Sequence, residues 1–213
     1  MTQTLTAEEV FRKAYENRYV WDENFPGYTC DITLKTPEGT YTGKGQITPD
    51  LKYSVSGIED GPAKKGMEQQ LWEITIHRVN DSFEKAHGEN TFSFGQTDAD
   101  GAVEILVGGA AAGNKYKVKD NVVTLVYRKV GNLYVTINTF EVLHTEKGYL
   151  SVAYDSVYTD VETGKQRGPR SIFRDKFEKI GDYYILTNRQ ITKEENGKTS
   201  GTEYTFSNIV LGT

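Results

Sequence analysis

The residues able to do chemistry in this chain of 213 residues fall in a few places. His77, Asp81 and Glu84 share one polar arc if the stretch from Lys65 to His87 is helical. At a spacing of four, His77 and Asp81 have the types of a general base and the carboxylate that orients it. With His87 and His144, His77 completes a set of three histidines that a metal site would draw on. The simpler account is that an exposed helix face carries polar residues. There is no G-x-S-x-G, no H-E-x-x-H and no Cys–His pair at a supporting spacing. No catalytic residue, metal ligand or cofactor site is therefore assigned.

Two loops imitate ligand motifs. Gly108-Gly109-Ala110-Ala111-Ala112-Gly113-Asn114-Lys115 follows a strand-like run, as a phosphate loop would. Its lysine comes one residue late, no Ser or Thr follows, and the next segment reads as strand. Asp98-Ala99-Asp100-Gly101 resembles part of a calcium loop, but Gln96 would stand at its first position and Val107 at its twelfth. A turn between strands fits better. Lys165, Arg167, Arg170, Arg174 and Lys176 form a basic run around Gly168-Pro169. It is either a solvated loop or a site that holds a phosphate or an acidic protein partner. Tyr15, Tyr19, Trp21, Phe25 and Tyr28 are close in sequence, either as core or as the wall of a pocket. Cys30 reads as a small buried residue.

The element that must position these groups is the stretch Lys65–His87. At about 100° per residue, Trp72, Ile76, Val79 and Phe83 fall on one line. Met67, Leu71 and Ile74 widen it, and Glu73, His77, Asn80, Asp81 and Glu84 lie opposite. The pattern predicts one helix over Met67–Ala86 with Ile76 and Phe83 inward. An earlier helix is predicted over Thr6–Tyr19, capped by Thr6 and Glu9, with Val10, Phe11 and Ala14 buried and Tyr15 stacked on Tyr19. Elsewhere the period is two. Roughly ten or eleven strands alternate with turns such as Pro37-Glu38-Gly39, Asp120-Asn121 and Glu195-Asn196-Gly197. The short connections favour antiparallel neighbours. The expected fold is mainly β with some α: one domain over 1–213, a large curled antiparallel sheet or half-barrel, two helices, and one of these packed on the concave face.

Composition agrees. Tyr is the commonest aromatic, with 14 copies, and suits strands. A net charge of −5 gives no field to attract nucleic acid. A single cysteine excludes an internal disulfide. The first ten residues lack the basic and apolar regions of a signal peptide. No apolar run reaches the roughly 18 residues of a transmembrane segment.

The runs YENRYVWDENFPGY (Tyr15–Tyr28), LWEITIHRVNDSFEKAHGENTFSFG (Leu71–Gly95), EILVGG (Glu104–Gly109) and GDYYILTNRQI (Gly181–Ile191) resemble a cyanobacterial protein family, also found in plant plastids, labelled only as a domain of unknown function. The resemblance covers nearly the whole chain. It implies a cytoplasmic setting, the cyanobacterial cytosol or the plastid stroma, and supplies no activity. The order helix, three strands, helix, many strands is also similar to the lipoprotein-carrier half-barrels of bacterial envelopes, in architecture alone.

Three functions are carried forward. The first is a non-catalytic carrier of an apolar ligand (lipid, pigment or acyl chain). Trp72, Ile76, Val79 and Phe83 would form one wall, Tyr19 and Trp21 the mouth, and Gly108–Gly113 a mobile gate. The second is an assembly protein of the photosynthetic machinery, with a partner at the Lys165–Lys176 loop. The third is an enzyme using the His77 region.

Overall fold

The computed structural model describes residues 4–212. In chain order its elements are α1 (Ala7–Glu16), β1 (Tyr28–Thr36), β2 (Gly39–Ile47), β3 (Tyr53–Ser56), α2 (Pro62–Arg78), α3 (Phe83–His87), β4 (Asn90–Thr97), β5 (Val103–Gly109), β6 (Lys115–Lys119), β7 (Val122–Val130), β8 (Leu133–Thr145), β9 (Gly148–Asp160), β10 (Arg170–Ile180), β11 (Tyr183–Glu195) and β12 (Lys198–Leu211). The hydrogen-bonded order is β3-β2-β1-β12-β11-β10-β9-β8-β7-β6-β5-β4. The mainly β, antiparallel fold expected from the sequence is therefore present. Its helices are three among the described residues, not two, and its strands twelve.

The chain forms two compact units. One joins the residues up to Tyr19 with Asp81–Ile172; the other joins Val20–Asn80 with the residues from Phe173 onward.

In the first unit, α1 starts on a capping box. The Thr6 hydroxyl accepts the Glu9 N–H at 3.2 Å, and the Glu9 carboxylate accepts the Thr6 N–H at 2.7 Å. Phe11 and Ala14 are buried, as the spacing predicts, with Val10 at their margin. They pack with Phe83 of α3 on Ile105 of β5 and Val118 of β6. The helix stops at Glu16, so Tyr15 and Tyr19 do not stack. Tyr15 packs on Phe83 and His87 instead, and the Tyr19 N–H donates to the Tyr149 carbonyl at 2.9 Å. Asp120 and Asn121 both take positive φ, 51° and 57°. That is the mirror-image turn whose twist suits a two-residue hairpin.

In the second unit, α2 lies on β1, β2 and β3. A glycine lets it approach: a Cβ on Gly43 would lie 3.1 Å from Met67 Sδ. The buried face of α2 is Met67, Gln70, Leu71, Ile74 and Thr75.

The predicted helix over Met67–Ala86 is not continuous. α2 ends where Val79 turns extended, at φ −62° and ψ 134°. Ser82 then caps α3 by accepting the Lys85 N–H at 3.2 Å. Asn80, Asp81 and Ser82 are residues whose short polar side chains compete for backbone hydrogen bonds and favour caps over helix interiors. An apolar line drawn through them runs across a break.

Candidate functional site

α2 carries two apolar lines, and only one is used for packing. Met67 and Leu71 are fully buried, and Ile74 is nearly so. The line read from the sequence as inward remains outside: Trp72 is 41% exposed, Ile76 38% and Val79 36%. Two large apolar side chains, with Val79 just beyond them at the C-cap, thus stand exposed on a helix that is already anchored.

The rotation has an electrostatic cause. Arg189 of β11 is buried, with its side chain 6% exposed. Its Nε and Nη2 donate to the two oxygens of Asp175 on β10, at 2.8 and 2.6 Å. Its Nη1 donates to Gln70 Oε1 and to Glu73 Oε2 of α2, each at 2.9 Å. Asp175 is itself 2% exposed at its side chain. A buried guanidinium must have its donors satisfied. This one draws Gln70 and Glu73 to the sheet, and that turns Trp72 and Ile76 outward. The inward reading of Ile76 is corrected on this ground, as is the outward reading of Glu73.

The other expected wall and mouth residues are core. Phe83 lies in α3, in the other compact unit from Trp72, and is 2% exposed among Phe11, Tyr15 and Phe92. Tyr19 is buried beside β9. Trp21 is buried, stacked on Phe25 at 3.9 Å with Tyr28 edge-on at 6.2 Å. The Gly108–Gly113 loop is tied down. The Ala111 N–H donates to Asn90 Oδ1 at 2.9 Å, the Ala110 N–H to the Glu89 carbonyl and the Gly113 N–H to the Val107 carbonyl. A Cβ on Gly109, at φ 77°, would lie 2.4 Å from the Glu89 oxygen. A freely swinging gate is not what these bonds build.

The polar candidates are also accounted for. The helix break separates His77 from Asp81, whose carboxylate takes Lys85. Glu84 takes Arg12. Asp98 and Asp100 take Lys117 and Lys119, at 2.6 and 3.2 Å, while Gly101 at φ 88° makes the turn. In the basic run, Arg167 pairs with Asp160 at 2.9 Å, Arg170 with the buried Asp155 at 2.7 Å and Lys176 with Glu178 at 2.8 Å. The Arg167 guanidinium, with backbone and side-chain bonds from Thr163, holds the Asp160 carboxyl down at about 2. Cys30 is buried, and burial pushes its thiol up to about 12, so it is inert at neutral pH. Among the described residues no group of three or more His, Cys, Asp or Glu could hold a metal ion. No helix among them is long and apolar enough to cross a membrane.

The imidazole of His87 has a different setting. Phe11, Tyr15, Phe83, Phe92 and Tyr116 surround it at centroid distances from 4.9 to 6.3 Å. Burial, with the nearby Arg18 charge, lowers its pKa to about 4. It is a neutral packing group at physiological pH.

Comparison with known families places the chain. The model of the family described as protein of unknown function (DUF3386) matches residues 2–211. The chain belongs to the DUF3386 family. No curated protein matches it. Among solved structures, this DUF3386 member is similar to a LolA superfamily protein from Nitrosomonas europaea, at 10% identity and a TM-score of 0.37, over 99% of this chain and 95% of that one. It is also similar to a putative outer membrane lipoprotein-sorting protein domain from Vibrio parahaemolyticus, at 11% identity and a TM-score of 0.35, over 98% and 92%. A DUF1329 family protein from Desulfovibrio piger aligns at 10% identity and a TM-score of 0.31, over 98% and 94%.

The sequence reading missed the Arg189 clamp. Its signal was present: β11 alternates Tyr183, Ile185, Arg189 and Ile191 among its buried positions. A charged residue at an inward position of a strand requires a buried partner.

Proposed function

We propose that this DUF3386 protein is a non-catalytic binding protein for an apolar ligand, a lipid, pigment or acyl chain, with Trp72 and Ile76 of α2 and Val79 at its C-cap as its contact surface. The observation that carries the reading is the second apolar line of α2, exposed while Met67, Leu71 and Ile74 hold the helix in place. Apolar surface gathered on one stripe marks a binding surface more often than scattered exposed residues do.

The magnitude limits the ligand. Fully burying a side chain of this kind contributes about 1.5–3 kcal/mol, so covering the exposed fraction of three is worth about 2–4 kcal/mol. That corresponds to a dissociation constant of about 1 mM or weaker. A ligand bound at useful affinity therefore has to be long enough to cover apolar surface beyond this stripe, which favours long-chain molecules over small aromatic ones.

The test uses the full chain. Native mass spectrometry and organic extraction look for a co-purified apolar molecule. Oleate and a carotenoid are then titrated while tryptophan fluorescence is followed. Of the two tryptophans, Trp72 is exposed and Trp21 buried, so the response reports on α2. A saturable change and a raised melting temperature are expected. Ile76→Lys should weaken binding about tenfold with the reporter intact. Absence of extracted ligand, saturable response and thermal shift would reject the reading.

A further inference from the structure

In the second unit the ladder between β11 and β12 runs from Glu195 opposite Lys198 to Asn188 opposite Thr205, and stops there. β12 continues beside β1 to Leu211, while β11 reaches back to Tyr183. The two strands part beyond Asn188 and Thr205. The cause lies in β12. Between the pairs Thr29–Val210 and Asp31–Ser207, β1 has one residue and β12 has two, Asn208 and Ile209, with Asn208 at φ 51°. Such a bulge bends the strand that carries it. Arg189 and Tyr204, adjacent in sequence to Asn188 and Thr205, face α2, so Asn188 and Thr205 face the other way. On that face lies a cleft of about 520 Å³. Ile180 of β10 lines one side, Ser207, Asn208 and Ile209 of β12 line the other, and Asn188 and Thr205 stand where the strands part. The volume is in the range of small-molecule sites.

The charges around the cleft are matched to one another. Lys176 pairs with Glu178 at 2.8 Å, and Glu203 with Lys35 at 3.7 Å. The groups left for a ligand are neutral. Asn188 Nδ2 donates to Glu203 Oε1 at 3.0 Å. A carboxylate only accepts, so this bond fixes the orientation of the amide and leaves Oδ1 as an acceptor. Asn208 is fixed in the same way, with Nδ2 donating to Asp31 Oδ2 at 2.7 Å. Thr205 Oγ1 accepts from Asn188 Nδ2 at 3.2 Å, which leaves its proton to donate. The exposed Ser207 hydroxyl can do either. We propose that this cleft binds a neutral polyhydroxylated molecule, a sugar. Sugar hydroxyls donate and accept at once, as oriented amide oxygens beside free hydroxyls require. The C–H face of the ring suits Ile180 and Ile209. A cation or an anion would have to break the Lys176–Glu178 or Lys35–Glu203 pair to find a counter-charge. The site is on the face of the sheet away from α2 and does not depend on the apolar stripe of Trp72 and Ile76.

Titration of the isotope-labelled full chain with glucose, galactose and sucrose, followed by NMR, tests this. Saturable shifts are expected at the backbone amides of Thr205–Ile209 and at the side-chain amides of Asn188 and Asn208, with dissociation constants in the millimolar range. Asn208→Gly keeps the positive φ at no steric cost and removes one amide oxygen. Thr205→Val keeps the branched shape and removes the hydroxyl. Each should weaken binding about fivefold, the worth of one hydrogen bond, at a nearly unchanged melting temperature. Should Thr205→Val disturb the fold, Asn208→Gly decides alone. No saturable shift with any of the three sugars, equal affinity in wild type and Asn208→Gly, or shifts centred on Trp72 and Ile76 would overturn the proposal. So would a stronger response of the cleft to spermidine or to inorganic phosphate than to any of the sugars.

Discussion

Replacing Arg189 with Met removes the charge while keeping most of the aliphatic volume. Asp175 then keeps a carboxylate that is 2% exposed at its side chain and has lost both guanidinium bonds. Gln70 loses its bond, and Glu73, 25% exposed at its side chain, recovers part of its hydration. Breaking a buried ion pair from one side costs up to about 3–5 kcal/mol, because the remaining buried charge loses the bidentate guanidinium. For a chain of this size that lowers the melting temperature by about 6–20 °C. Asp175→Leu in the Arg189→Met background removes the second member of the pair as well and should recover part of the loss, since apolar replacement of a whole buried pair is often neutral or stabilising. The assay is urea unfolding of wild type, both single variants and the double variant, read as a double-mutant cycle. A single variant within about 1 kcal/mol of wild type would show that the clamp does not hold α2 to the sheet. Equal losses in single and double variants would show that volume, not charge, is what Arg189 supplies.

Two further outcomes follow from burial. Leu71→Asp should unfold or severely destabilise the protein, whereas Ile76→Asp, at a 38% exposed position, should change the melting temperature little; a reversed order in a thermal melt would restore the face first read from the sequence. The second concerns His87, whose folded pKa is about 4 against an unfolded value near 6.5. Between those values the unfolded chain binds the extra proton, so the His87 contribution to stability falls as pH drops from about 6.5 towards 4. His87→Phe should flatten that part of the stability-against-pH curve in equilibrium unfolding, and an unchanged slope would count against a desolvated imidazole.

Much of the local structure was legible. The Thr6–Glu9 box, the α1 stripe of Phe11 and Ala14, and the Asp120-Asn121 turn depend on residues within four positions of one another. The same locality explains why the imitation calcium and phosphate loops could be set aside: ligand count and spacing are sequence properties. The candidate site was half legible. The sequence identified α2 as the element that matters and Trp72, Ile76 and Val79 as a line upon it. It placed that line on the wrong side and extended it to Phe83, across the break at Asn80-Asp81-Ser82.

The sequence by itself determined the fold class, since a period of two and short polar turns leave little besides antiparallel neighbours. It also determined where α1 begins and which of its residues are buried. Only the tertiary structure decided which face of α2 is inside. Periodicity groups the apolar residues of a helix into lines, but α2 has two lines of comparable strength and the sheet accepts one. The choice was made by Arg189, more than a hundred residues away in the chain. Turning Trp72 and Ile76 inward would take Gln70 and Glu73 away from the Arg189 Nη1, a buried donor that then lacks those two acceptors.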